Sequence, residues 1–401
     1  MPTLPSTPSD TVAAAPATSG LQILILAVAA FVIVTTEYLI LGILPALARD
    51  LDITVSMAGQ LVTLFAFTVM LFGPPLTAAL SHINRKHLFV GILLIFVVSN
   101  VIAALAPNIW VLALARFIPA LFLSVFWGTA SETAGQLAGP KHAGRAVSRV
   151  YFGISAALVF GIPLGTLAAN TIGWRGSFWG LAALSLIMAV LIMVFMPKLP
   201  APATARGSKQ ARILKDGTFL AHVLLSVVIF TATFAAYTYL ADMLERIALI
   251  APENVGWWLM GFGAVGMVGN WLGGRVVDRS PLGATVAFAA ILGIAMLAFV
   301  PLSGSTVGLA ITLVVWGIAF TALFPICQVR VMTVGSDAPA LAGTINVAAA
   351  NAGIGLGAIF GGLTIDHLGL QNVGIVSSML SAAGILIAIL MMVRVRRTAS
   401  A

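Results

Sequence analysis

Twelve stretches of about 20 mainly apolar residues run through this 401-residue chain, more than a water-soluble fold can bury. They lie near 21–45, 57–80, 88–106, 110–133, 147–169, 176–196, 219–243, 253–275, 283–302, 307–330, 341–364 and 372–393, each bounded by charges, proline or glycine. Each is long enough, or nearly so, to cross the ~30 Å hydrocarbon core of a bilayer as a helix. The runs are unbroken rather than alternating, and Ala, Leu and Gly dominate them, so helices are expected rather than a β-barrel. Only 8% of the residues are charged, where a soluble protein carries about three times that fraction. The chain is therefore expected to be an all-α integral membrane protein with twelve transmembrane helices.

Charge placement supplies a topology. Pro197 to Thr218 carries Lys198, Arg206, Lys209, Arg212 and Lys215 in a Pro/Ala/Gly-containing stretch, which makes 197–218 the natural cytoplasmic linker. It separates two six-helix halves, 21–196 and 219–393, flanked by a tail over 1–20 that is expected to be disordered and a second tail over 394–401. With both termini in the cytoplasm, 16 of the 20 basic residues fall in cytoplasmic loops, Arg330 counted among them, against Arg49, Arg175 and Arg246 outside. That bias is the positive-inside pattern, so the net charge of +8 reflects topology rather than a nucleic-acid footprint. A single cysteine, Cys327, excludes an intramolecular disulfide, and the few unpaired histidines argue against a metal site.

The halves resemble each other. Ile172-Gly173-Trp174 and Leu368-Gly369-Leu370 are 196 residues apart, and at that offset Gly165 meets Gly361 and Gly161 meets Gly357. Near the same offset Gly59 pairs with Gly256, Ser81 with Asp278 and Tyr38 with Tyr237. Duplicated six-helix halves are the architecture of many secondary transporters, whose substrate sites lie between the repeats near the bilayer midplane.

Glu37 is the acidic residue placed well inside a span, about 24 Å along helix 1 at ~1.5 Å per residue. A carboxylate there costs about 2.5–3.5 kcal/mol on an insertion scale, so it is expected to be protonated, paired or facing a wet cavity. Arg116 enters helix 4 to a similar depth and is its natural partner. Changes in their separation would switch the protonation of Glu37, a physical basis for proton antiport; the alternative is a static ion pair pinning helix 1 to helix 4. At the offset that pairs Tyr38 with Tyr237 the counterpart of Glu37 is Ala236, which leaves ionisable chemistry to the first half.

Helical spacing places Arg116, Ala120, Leu123 and Trp127 on one stripe of helix 4, and Trp316, Phe320, Leu323 and Cys327 on one stripe of helix 10. If these face the centre, Leu123, Trp127, Trp316 and Phe320 wall an apolar, aromatic pocket with Tyr38; otherwise they are ordinary packing. Tyr237, Asn270, Gln328, Asn346 and Asn351 offer hydrogen bonds to a solute or between helices, with Tyr237 and Asn346 the favoured pair. Glu132 is expected to pair with Arg145 or Arg149 near the cytoplasmic surface, while Asp242 and Glu245 at the outer end of helix 7 call for no special role. A membrane enzyme or sensor is disfavoured by the lack of a His/Asp/Ser constellation, and a nucleotide-driven pump because Gly139 to Gly144 is followed by Arg145-Ala146 instead of Lys-Ser/Thr.

Gly274-Arg275-Val276-Val277-Asp278-Arg279, between helices 8 and 9, resembles the loop motif of the major facilitator superfamily; Ser81 to Lys86 between helices 2 and 3 keeps only its basic end. Helix 5, with Gly153, Gly161, Pro163 and Gly165 followed by Gly173-Trp174-Arg175, resembles the motif of that family's drug and metabolite antiporters, and Arg116 resembles their helix 4 arginine. The resemblance covers nearly the whole chain and looks closest to bacterial sugar, arabinose and purine nucleoside exporters. It implies the major facilitator fold in a bacterial inner membrane, with proton-coupled export of a small organic solute such as a sugar. A multidrug or nucleoside substrate is the alternative. It further implies work as a monomer in the bilayer with substrate and protons as partners, no nucleic acid, and no cofactor or metal beyond the proton gradient. Glu37 and Arg116 are the implied coupling pair. Gating falls to Gly153, Gly161, Pro163, Gly165, Gly274, Asp278 and Arg279, with Asp278 facing the amino end of a neighbouring helix.

Overall fold

A computed structural model describes residues 18–80, 82–139, 142–197, 199 and 210–399. Among the described residues there is no strand. The helices are α1 (Thr18–Asp50), α2 (Val55–Leu80), α3 (Arg85–Ala104), α4 (Ile109–Ala138), α5 (Ala143–Ala156), α6 (Ile162–Phe195), α7 (Gly217–Tyr237), α8 (Leu240–Arg246), α9 (Pro252–Val276), α10 (Pro281–Leu302), α11 (Thr306–Val334), α12 (Pro339–Leu368) and α13 (Val373–Ala399). Most extend a few residues beyond their apolar runs because polar side chains cap the end turns. Asn108 accepts from the Trp110 and Val111 N–H groups, and Asn84, Asp216, Ser280 and Ser305 do the same for α3, α7, α10 and α11.

Ten helical runs among the described residues are long and apolar enough to span a bilayer. One of them, Arg145–Phe195, has 51 residues, about 77 Å of helix and more than twice the hydrocarbon thickness. It breaks at Gly173, whose φ of 77° takes it out of helical space, and so makes two crossings. The glycine-rich α9, 25 residues long, supplies the twelfth. Within the fifth crossing a π-turn over Ala157–Gly161 precedes Pro163; Ile162 N–H reaches back five residues to Ala157 O. The widened turn makes room for the proline ring, which in a regular α-helix would strike the carbonyl four residues earlier.

The internal duplication is visible in packing. Gly173 and Gly369 share one unusual backbone conformation, φ/ψ of 77°/157° and 91°/155°. Gly161 lies against Thr35 and Gly165 against Leu39, while Gly357 lies against Thr231 and Gly361 against Ala235. All four residues of the first half map onto the second at the offset of 196. The same contacts place Thr233, not Ala236, opposite Glu37, and Phe234 opposite Tyr38. Thr233 is buried and bonded to Ile229 O, so the second half still offers no acid at this position.

The hydrogen bonds and ion pairs described between the halves gather at the end of the bundle remote from Thr18 and Ala399. There Arg49 pairs with Glu245 at 2.6 Å, Ser56 donates to Asp366 at 2.8 Å, and Asn170 donates to Pro252 O at 2.6 Å. Slightly deeper, Thr63 donates to Gly355 O at 3.2 Å, and the Tyr239 ring inserts beside Gly59, Gly361 and Gly362. Glu245 thus clasps the halves together, a role its position at a helix end had not suggested. Asp242 pairs with Arg246 of its own helix.

Three charge placements differ from expectation. Arg330 is not a loop residue: it is buried in α11, where its guanidinium donates to Thr285 Oγ1, Ser226 Oγ and His222 O, oxygens that solvate the charge without neutralising it. Glu132 pairs with the buried Arg85 at the start of α3, at 2.7 Å. Asp278 and Arg279 are exposed in the turn after α9, and among the described residues neither side chain forms a hydrogen bond or ion pair with a neighbouring helix. Ser81, Lys141, Lys198, Arg206 and Lys209 lie outside the described residues, as do residues 1–17 of the tail.

A Cβ on Gly357 would sit 2.8 Å from Thr231 O, whereas one on Gly180 meets nothing within 4 Å. Gly357→Val is expected to lower stability by about 1–3 kcal/mol through overpacking, and Gly180→Val to leave it nearly unchanged. Thermal unfolding of both variants in detergent checks the contrast.

Candidate functional site

Two cavities lie between the halves. The smaller, about 10 Å³, is walled by Glu37, Tyr38 and Leu41 of α1, Val62, Phe65 and Ala66 of α2, Arg116 of α4, and Asn351 and Ile354 of α12. Arg116 is buried and delivers one guanidinium nitrogen to Thr36 O at 2.5 Å and the other to Glu37 O at 2.6 Å. Its guanidinium carbon stands 4.3 Å from the centre of the Phe65 ring, and Asn100 Nδ2 reaches Thr36 Oγ1 at 3.4 Å. Arg116 therefore meets Glu37 through the main chain and forms no ion pair with its carboxyl. The carboxyl remains within electrostatic reach of the guanidinium and the Tyr38 hydroxyl. The fork of N–H donors suits this arrangement, because two adjacent carbonyls of α1 can be taken at once. Those carbonyls also belong to the helix ladder, so the arginine fixes α1 against α4 without using up the acid.

The larger cavity, about 350 Å³, is of the size that holds a small organic solute. Its first-half wall is Tyr38 with Tyr151, Ile154, Ser155 and Leu158; its second-half wall includes Phe234, Tyr237, Asn270, Phe320, Phe324 and Gln328. Among the described residues that line it, none carries a formal charge. Tyr237 and Phe320 lie 4.2 Å apart between ring centres, and Phe234 packs on both. Tyr38 lines both cavities, and its ring stacks against Phe234 at 6.4 Å. Among the described residues no group of three His, Cys, Asp or Glu side chains is placed to hold a metal ion.

The description of the Major Facilitator Superfamily matches residues 26–348. This chain belongs to that superfamily. Its members are transporters, and the twelve-helix architecture with two related halves is the fold of the family. An inner membrane transport protein of Escherichia coli K12, YdhP, is 36% identical over 367 residues, covering 91% of this chain and 94% of the relative. A probable sugar efflux transporter of Mannheimia succiniciproducens is 28% identical, with 94% and 95% covered. Among solved structures, a bacterial homologue of the human lysosomal transporter Spinster, inward-facing and unoccupied, superposes with a TM-score of 0.79 at 15% identity, covering 94% of this chain and 98% of that one. The nucleoside transporter NupG does so with a TM-score of 0.74 at 14% identity, covering 93% and 99%.

In this facilitator Tyr38, Tyr237 and Phe320 line the larger cavity, and four other residues singled out for the pocket do not. Trp316 is fully buried between Phe262 and Phe299, and Leu123 packs in the core of the first half. Trp127 packs at a tilt against Tyr151, 5.1 Å between ring centres, one layer behind the wall. Asn346 is buried and donates to Gln328 Oε1 at 2.7 Å, so it orients a lining amide instead of lining the cavity itself. On α11 the cavity-lining face is Phe320, Phe324 and Gln328 with Thr321 and Pro325, which shares Phe320 with the predicted stripe and then departs from it. Spacing identifies a stripe but not which stripe faces the cavity. Asn100, Phe65, Phe234 and Phe324 were not singled out; Asn100 alone carried a signal, an amide within an apolar run.

The carbonyl clamp separates geometry from charge. Arg116→Lys keeps the cation but cannot span both carbonyls and still cover Phe65, so stability is expected to fall by about 1.5–3 kcal/mol, the worth of one charged hydrogen bond. Unfolding of the detergent-solubilised variant measures it, and a wild-type midpoint would remove the clamp from the account.

Proposed function

We propose that this facilitator is a proton-coupled antiporter that exports a small neutral organic solute, sugar-like in chemistry, across the bacterial inner membrane by alternating access. The observation that carries the reading is the position of Tyr38, next to Glu37 in one cavity and forming part of the wall of the other. A change in the state of Glu37 is felt at the first solute contact through a single side chain. The relatives named as probable sugar efflux transporters support the substrate class, as does an uncharged wall in which three phenols and two amides are set among phenylalanines. Burying a charged solute there would leave it without a counter-ion, at a cost of several kcal/mol. Aromatic faces also suit the base of a nucleoside or a lipophilic drug, and these remain the competing substrates.

The basic residues favour a cytoplasmic position for the end that bears Thr18 and Ala399. The clasp of Arg49, Glu245, Ser56 and Asp366 then closes the outer face, and the exposed Asp278 and Arg279 stand at the inner face. In such a cycle Glu37 takes a proton from the outside and gives it up inside, while the solute moves outward. The protein acts as a monomer in the lipid, with the proton gradient as its energy source and no other cofactor. The close contacts of Gly153, Gly161 and Gly165 with α1, together with the π-turn before Pro163, supply the adjustment that rocking halves require.

Glu37→Gln in proteoliposomes is expected to abolish solute export driven by a proton gradient while leaving folding and solute binding intact, since the amide keeps the shape of the site but cannot release a proton. Undiminished gradient-driven export by that variant would sink the coupling role. Tyr237→Phe and Gln328→Ala are each expected to raise KM by about fivefold, the value of one hydrogen bond. Counterflow with a neutral monosaccharide, a nucleoside and a lipophilic drug as probes separates the three substrate classes.

A further inference from the structure

The smaller cavity contains one residue from the second half whose hydrogen bonding is incomplete. Asn351 of α12 donates its Nδ2 to Val347 O at 3.0 Å, but its Oδ1 is buried and has no partner. A buried amide oxygen left unpaired is unfavourable, so a partner in some state of the protein is expected. Around it, α4 contributes Arg116, whose two terminal nitrogens are taken by Thr36 O and Glu37 O. From α2 come Val62, Phe65 and Ala66, and from α12 itself Ile354, none of which can donate through its side chain. On α1 stand Tyr38 and Glu37; Tyr237 of α7 lies beyond Tyr38. Among these groups the Glu37 carboxyl is the one that the proposed function loads and unloads with a proton.

A carboxylate and an amide oxygen are both acceptors and cannot bond to each other. A neutral carboxyl has an O–H to give. We propose that Asn351 reads the proton on Glu37: its Oδ1 accepts the carboxyl O–H across the interface between the halves. The bond runs directly or through one water, for which a cavity of about 10 Å³ is just large enough. The inference rests on Glu37 being the proton carrier. Its consequence is directional. The helix that carries Asn351 to Glu37 also closes the far end of the bundle, since Thr63 and Ser56 of α2 bond to Gly355 O and Asp366 of α12. A proton arriving from outside therefore adds a bond that closes the outer face. Its loss to the inside leaves two acceptors facing each other and loosens that closure, the sign an antiporter needs. The proton enters onto the carboxylate from the outer water and leaves to the inner water, and no other covalent bond changes.

The test uses the full chain in lipid nanodiscs, with Cys327→Ser and spin labels at Leu105→Cys and Leu249→Cys, two exposed positions at the far ends of opposite halves. With Asn351 and Glu37 intact, moving from alkaline to acidic buffer is expected to shift the label pair toward the short distance. Asn351→Leu should reduce that change in the closed-to-open ratio by about fivefold. Glu37→Gln, whose amide donates at any pH, should stay at the short distance throughout, and the double variant should not. Asn351→Val replaces Asn351→Leu if the larger side chain prevents a monodisperse preparation. A full shift in the Asn351 variants alongside a fixed short distance in Glu37→Gln overturns the role of Asn351 and leaves Glu37 as carrier. A full shift in Glu37→Gln overturns both.

Discussion

Lipid offers no hydrogen bonds, so each polar group that this chain carries into the bilayer must find a partner within the protein. The backbone meets the demand by becoming helical. Among the polar side chains at depth, many hydroxyls return to carbonyls of their own helix, while a few longer side chains reach other helices and mark where the bundle is joined. Arg116 serves main-chain oxygens of α1, Arg330 serves hydroxyls and a carbonyl of α7 and α10, and Tyr239 donates to Ala358 O. Where side chains are absent, glycines let backbones approach. Helix 5 lies on α1, and α12 on α7, through pairs of glycines that repeat at one offset. Without an apolar driving force between helices in lipid, this close contact is what holds them together.

Duplication would by itself give two equivalent halves, but the two halves of this chain are unequal where charge lies at depth. Glu37 and Arg116 have no ionisable counterparts: at the offset set by packing, Thr233 and Thr312 take their places. The larger cavity is correspondingly a structure of the second half, faced on the first side by α1 and the fifth crossing. Tyr38 and Phe234, equivalent by the repeat, meet ring to ring at the centre of the molecule. One side of that pair leads to the acid and the other to the aromatic wall. Among the described residues, the polar contacts between the halves collect toward one end of the interface.

Much of this was legible in the chain alone. Segment positions agree with the helices to within a few residues, because a bilayer imposes length and apolarity on each crossing regardless of its neighbours. Glu37 and Arg116 stood out because charge is scarce and costly at depth, and they do share a cavity. What could not be read was the azimuth of each helix. Trp316 and Leu123 are as apolar and as well spaced as Phe320, yet they turn toward protein. In a water-soluble helix a polar back face would have settled the orientation. Here lipid, core and a largely apolar cavity all accept the same side chains, so periodicity does not tell them apart.

The sequence by itself determined the class of solvent, the number of crossings, the duplication and the family, since these follow from composition, length and spacing. Tertiary structure alone decided that Arg116 grips the carbonyls of Thr36 and Glu37 instead of the carboxyl, that Glu245 clasps Arg49 across the halves, and that Asn351 arrives opposite the acid. The physical reason is the same in each case. Hydrogen bonds and ion pairs act over about 3 Å, and residues separated by 79, 196 and 314 positions in the chain are brought within such reach, or into one small cavity, only by the docking of whole helices.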